Sequence, residues 1–297
     1  VISMLLGLLL APLLAGVINR VKAFFAGRRG RPLFQLYWDL ARLVRKHMVL
    51  SRTTTPVFLL GPALSLASLV TCLALLPLGG PALLLFPGDL LVLLGLLGLV
   101  RFATVLAAMD TGSSFEGMGA SREVAIGALA EPGMFLALAV LVVQTRVVSL
   151  SELWAHRGLD LWNSAGLVLA LVGVALFLLL LAESCRIPVD DPNTHLELTM
   201  IHEVMVLDHS GPALAAIEYA SSLKMWIGAA LISSLLFPFH TGSAGLDLLA
   251  GVAVVFLVAL AVGLVESTSA RLSMLRVPQF VGLSSALSLL ALFLVIR

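Results

Sequence analysis

Residues 166–203 read GLVLALVGVALFLLLLAESCRIPVDDPNTHLELTMIHE, an uncharged apolar run that breaks into a segment carrying Glu183, Asp190, Asp191, Glu197 and Glu203. With residues 161–165 ahead of it, the apolar part is long enough to cross a bilayer, which takes about 20 predominantly apolar residues in a helix. The whole chain has this character. Of its 297 residues 60% are hydrophobic and 12% charged, with a mean hydropathy of +1.09, against roughly 45–50% apolar residues in soluble domains. Lipid offers the backbone no hydrogen-bond partner, so spanning chains close their bonds within helices or closed barrels. Barrel strands alternate apolar and polar residues over about 10 positions, whereas the runs here are continuous. The sequence therefore predicts an all-α, polytopic membrane protein.

Eight spans are expected, at about 2–19, 56–77, 88–109, 132–150, 161–183, 222–240, 245–265 and 277–296. The first lacks the leading basic residues of a signal peptide and reads as a span. No long polar stretch separates the spans, so residues 1–297 are expected to form a single bundle. The segment after the first span carries Arg20, Lys22, Arg28, Arg29, Arg31, Arg42, Arg45, Lys46 and Arg52, half of the 18 basic residues. The positive-inside rule makes that loop cytoplasmic and puts the N-terminus outside. Cytoplasmic loops are then expected near 20–55, 110–131, 184–221 and 266–276. Within the first, Leu33, Leu36, Tyr37, Leu40, Leu43 and Val44 follow helical spacing, which suits an amphipathic helix at the interface or against a partner protein. The net charge of +1 argues against nucleic acid. Cys72 and Cys185 form no disulfide framework and no cysteine-rich metal motif.

Most of the 17 carboxylates gather on the expected cytoplasmic side, although acids contribute little to topology. Glu183 ends an apolar helix at the negative pole of its dipole, where an anion is disfavoured by roughly 0.3–1 kcal/mol. An ion pair with Arg186, three residues on, is one explanation. The other is a carboxyl that exchanges protons near neutral pH. Pro188 and Pro192 should stop the helix and hold the intervening VDDP extended. Residues 194–210 read as an amphipathic helix, with Leu196, Met200, Val204 and Leu207 on one face and His195, His202 and His209 on another. Those histidines lie about 10.5 Å apart along the axis and cannot share one metal. In 109–133, Gly112, Gly117 and Gly119 make no phosphate loop; Glu116 and Glu123 share a face if the segment is helical, and Glu131 before Pro132 reads as an acid at a helix start. Arg101, inside the third span, requires a polar partner or a route to an edge.

Three stretches, GRRGRPLFQLYWDLARLVRK, DTGSSFEGMGASRE with the following EP, and AESCRIPVDDPNTHLELTMIHE with GPALAAIEYASSLK, together resemble the membrane subunit of formate hydrogenlyase, hydrogenase-4 and related group 4 membrane-bound [NiFe] hydrogenases. That subunit is homologous to the eight-helix heel subunit of respiratory complex I, whose AETxRxPFDLPE loop resembles Ala182, Glu183, Arg186, Pro188, Asp190 and Pro192. The resemblance implies a non-catalytic subunit of a prokaryotic cytoplasmic-membrane complex. It would meet a [NiFe] hydrogenase large subunit, an iron–sulfur small subunit and antiporter-like membrane subunits, with the [NiFe] centre and [4Fe–4S] clusters held by those partners. It also implies an ion pathway through Glu123, Glu131, Glu183, Glu197, Glu203 and Glu218, and contact with the electron-transfer arm at Arg28, Arg31, Arg186, Asp190 and Asp191. DDPNTHLELT replaces the acidic LPE segment of the quinone-reducing version, and no GPNRVG follows the first span, so the hydrogenase branch is favoured and no quinone site is expected. A quinone-binding heel subunit and a purely structural anchor are the alternatives; a stand-alone transporter should show inverted halves, which the sequence lacks.

Overall fold

A computed structural model describes residues 1–156, 158–190, 200–238 and 241–297. Its described residues form eleven helices: α1 (Ile2–Phe25), α2 (Gln35–Val44), α3 (Pro56–Leu75), α4 (Asp89–Asp110), α5 (Ser114–Thr145), α6 (Leu150–His156), α7 (Leu159–Glu183), α8 (His202–Val206), α9 (Gly211–Leu236), α10 (Ala244–Thr268) and α11 (Val277–Ile296). Eight of them, all but α2, α6 and α8, are long and apolar enough to cross a membrane. The expected span count holds, and α2 occupies the expected amphipathic segment.

Acids at the helix ends fasten the bundle. Asp110, last in α4, accepts hydrogen bonds from the Thr55 N–H and hydroxyl, both at 2.7 Å, and from the Phe58 N–H at 3.2 Å. It thereby satisfies donors that the first turn of α3 leaves unpaired. Thr55 caps the same helix, with Pro56 in its first turn. At the opposite end of α4 the fully buried Asp89 accepts from the Leu150 N–H at 2.7 Å and the Ser149 hydroxyl at 3.0 Å, which seats α6. Helix α9 is the hub: it packs on α1, α2, α3, α7 and α10, and carries Trp226, the largest fully buried side chain. Helices α10 and α11 are outer staves whose Leu257, Leu264, Leu289 and Phe293 are exposed, as suits lipid or a neighbouring subunit.

Three expectations change. Residues 110–131 are not a loop: α5 runs unbroken through Pro132. Proline removes one N–H, a loss that packed neighbours tolerate in membrane helices. With 32 residues, α5 is about 48 Å long, longer than the roughly 30 Å hydrocarbon core, so part of it projects beyond lipid. Second, α7 stops before Pro188, through its own C-cap. Cys185 takes a left-handed conformation (φ 48°), the Arg186 N–H reaches the Leu181 carbonyl at 2.9 Å, and the Cys185 N–H reaches that of Ala182 at 3.2 Å. That pair of bonds is a Schellman motif. The expected extended stretch begins instead as a turn, in which the Val189 N–H donates to the Arg186 carbonyl at 2.8 Å. Third, of the amphipathic helix expected over 194–210, residues 191–199 lie outside the described residues, and among the rest only His202–Val206 is helical. Helix α9 begins at Gly211, well before the expected residue 222, and takes Glu218 into a span.

The close seating of α2 on α1 depends on Gly16, where an added Cβ would overlap the Leu33 backbone carbonyl. A backbone atom cannot move aside as a side-chain tip can. Gly16→Ala is expected to destabilise the protein by about 1–3 kcal/mol and to speed proteolysis in the α1–α2 connection, measured by thermal unfolding and limited digestion of the detergent-solubilised protein.

Candidate functional site

The site is assembled around a guanidinium. Arg101 projects from α4 toward α5, where Glu123, Gly127 and Glu131 recur every four residues and so share one helix face. Gly127 makes the room: a Cβ there would stand 2.5 Å from the Arg101 guanidinium. Around this notch Arg101 pairs with Glu131 through Nη1, with Glu183 of α7 through Nη2, and with Glu123 through Nε at 3.5 Å. On its far side Glu183 meets Lys224 of α9, Nζ to Oε2 at 3.0 Å. The Arg101, Glu123, Glu183 and Lys224 side chains are only 10–16% exposed, whereas Glu131 is 50% exposed on the outer wall of α5. Cys185 adds its thiol 3.9 Å from Glu123. Burial, with Glu123 adding to it, pushes that thiol well above its ordinary value, so it remains a protonated, weak donor.

The cluster opens on a small cavity of about 50 Å³ whose apolar wall includes Pro62, Leu69, Val100, Met205 and Ile217, and whose polar lining adds His202, His209 and Ser221 to the charged groups. Such a volume holds on the order of three waters. A second, larger cavity of about 490 Å³ lies between α1, α2 and α9, lined by Arg31, Asp39, Arg186, Glu203, Glu218 and several neutral polar side chains. The residues nominated from sequence thus separate into two groups. Glu123, Glu131 and Glu183 meet in the cluster; Glu203 and Glu218 line the second cavity with Arg31 and Arg186. Arg28 is exposed outside both.

Two expected roles meet a different geometry. Glu183 does not pair with Arg186, whose Nη1 instead lies 3.5 Å from the buried Glu266, itself 2.9 Å from Lys22. Nor is Glu183 an isolated carboxyl in apolar surroundings, since two cations flank it. Asp190, nominated for arm contact, is 1% exposed: its Oδ1 accepts from Arg271 at 2.7 Å and its Oδ2 from the Ile201 and His202 N–H groups at 3.1 and 3.2 Å. Asp191 and Glu197 lie outside the described residues. Lys224 is the cluster member missing from the residues nominated from sequence; its signal is a lone lysine three residues before the uninterrupted run IGAALISSLLF. Among the described residues no group of three or more His, Cys, Asp and Glu side chains could hold a metal ion.

Removing Arg101 leaves three carboxylates facing one lysine. Arg101→Ala is expected to cost about 3–5 kcal/mol, as for other broken buried pairs, with Glu123→Gln restoring part of the loss in the double variant; chemical denaturation of all four proteins in a double-mutant cycle measures it. His209 stacks on Phe58 with centroids 3.9 Å apart and 19° between planes, and burial pushes its imidazole below the ordinary 6.5. The unfolded chain then binds the proton first as pH falls below about 6.5, so this group makes stability rise with pH through that window and not above it. His209→Phe should flatten that acid-side slope in unfolding temperature measured against pH.

Hydrogenase-4 component C of Escherichia coli is 34% identical over 246 residues, covering 78% of this chain and 72% of that one. Formate hydrogenlyase subunit 4 of the same organism is 32% identical over 274 residues, covering 88% and 86%. A chain of the membrane-bound sulfane sulfur reductase, an archaeal respiratory membrane complex, superposes with a TM-score of 0.86 at 18% identity, covering 98% of this chain and 96% of that one, and so shares the fold. The family described as NADH dehydrogenase matches residues 1–296, and the chain belongs to that family.

Proposed function

We propose that the chain is the membrane subunit of a group 4 [NiFe] hydrogenase-like complex, anchoring an electron-transfer arm and coupling hydrogen evolution to ion movement across a prokaryotic cytoplasmic membrane. It is a multi-pass membrane protein whose relatives are components of multi-subunit complexes. Redox chemistry would belong to partners, an iron–sulfur small subunit and a hydrogenase large subunit, which would hold the [4Fe–4S] clusters and the [NiFe] centre. The exposed basic residues around α2, Arg28 and Arg31 among them, offer the arm a positively charged seat; Arg186, turned inward to Glu266, would support that seat from below.

The observation that carries the coupling role is a mismatch of charge. Three carboxylates, Glu123, Glu131 and Glu183, share two cations, Arg101 and Lys224. Unbalanced charge is costly at low dielectric, so the set is neutral when it holds one extra proton, and that proton belongs to the group as a whole. Glu131 brings the set to the outer wall of the bundle. An acid half-exposed midway along a membrane helix belongs against another protein rather than lipid, which suits transfer to an antiporter-like neighbour. Glu203 and Glu218, at the second cavity, stand at the entrance. If the cluster were only a clamp, its charge state would not matter to turnover.

In the intact complex, Glu183→Gln is expected to lower the protons or sodium ions moved per H₂ evolved at least tenfold, measured in sealed inverted vesicles by a pH-sensitive dye and by ²²Na⁺ uptake. An unchanged ratio would make the cluster a structural anchor.

A further inference from the structure

Among the described residues, His202 and Ser221 are the two that line both cavities. On one side lies the larger cavity with Glu203, Glu218, Asp39, Arg31 and Arg186; on the other lies the small one with Arg101, Glu123, Glu183, Lys224 and His209. We infer that the His202 imidazole, together with the Ser221 hydroxyl of α9, is the crossing point between the two cavities, and that it passes protons and rejects sodium. The inference rests on the ion-path reading given above and extends it to the identity of the ion.

The chemistry of the crossing decides for the proton. An imidazole has two nitrogens that exchange donor and acceptor roles, and histidine is the side chain that takes up and releases protons in the physiological range. His202 accepts a proton from water in the outer cavity on one nitrogen and releases the proton of the other to water in the inner cavity. Tautomer exchange or a ring flip restores the starting form, so no bond or charge is left behind. A hard cation would instead have to trade its water for several oxygen ligands. The two shared residues supply one side-chain oxygen between them.

The backbone of His202 is held for this task. Asp190 accepts the N–H groups of Ile201 and His202 and is itself fixed by Arg271, which ties the start of α8 to the segment between α10 and α11. The imidazole is half-buried, and so is Ser221. Both are thus placed between the two cavities rather than sealed in the core.

The test uses the whole complex in sealed inverted vesicles, with reduced viologen as electron donor, and reads protons moved per H₂ evolved. His202→Gln keeps a polar side chain that cannot relay a proton, and is expected to lower the ratio at least tenfold. His202→Ala should lose it equally and regain at least half of it when imidazole is added, a rescue that a merely structural role would not give. Ser221→Leu, on α9, should close the crossing and lower the ratio as well, so the inference does not depend on one variant assembling. If Glu183→Gln abolishes translocation while the His202 and Ser221 variants keep it, the crossing is overturned and the ion path stands. If the wild-type complex moves ²²Na⁺ and no protons, and His202→Gln leaves this intact, the proton assignment is overturned. If Glu183→Gln has no effect, the ion-path reading itself fails.

Discussion

A guanidinium inside a membrane helix is tolerable only if its charge is met, and the bundle is arranged so that two neighbouring helices meet it. Arg101 on α4 draws two acids from α5 and one from α7, and Glu183 then reaches on to Lys224 of α9. Four helices are therefore held at one depth by charge, in surroundings where apolar packing alone discriminates poorly between one sliding position and the next. The cost of burying ions is spread over five side chains, and Gly127 supplies the space in which the central one sits. The same arrangement that fixes the helices leaves a set with one carboxylate in excess.

Around this centre the remaining acids have other duties. Asp89 and Asp110 tie α4 to its neighbours at either end, Asp190 holds the start of α8, and Glu266 locks α1 to the Arg186 segment through Lys22. What looks in the sequence like one crowd of carboxylates divides by burial and partner: some satisfy helix ends, some balance a cation, and some line water-accessible space.

The eight spans were readable because continuous apolar runs have no other stable home in lipid, and α2 because its apolar residues keep helical spacing. Arg101 announced its need for a partner by position alone, and Glu123, Glu131 and Glu183 were nominated. Their meeting was not readable, since it depends on how helices far apart in sequence are rotated against one another. Local rules misled in two places. Pro132 looks like a helix start, yet packing carries α5 through it, and only then does the four-residue step of Glu123, Gly127 and Glu131 become a face. Glu218 looks like a loop residue until α9 is seen to begin at Gly211. Cys185, in a left-handed position usually given to glycine, carries no local signal of the cap it makes.

The half-exposed Glu131 has a bearing on how such a subunit is made. On its own in a bilayer the chain would present a polar notch on its lateral wall, and lipid chains cannot hydrate it. A neighbour that covers the notch relieves this burden on top of whatever apolar surface it buries. Biogenesis is thereby biased toward co-assembly: an orphan copy carries a built-in mark of incompleteness, of the kind that membrane quality control can read, and the acid that pairs with Arg101 at the outer wall is also the one that reports whether a neighbour has arrived.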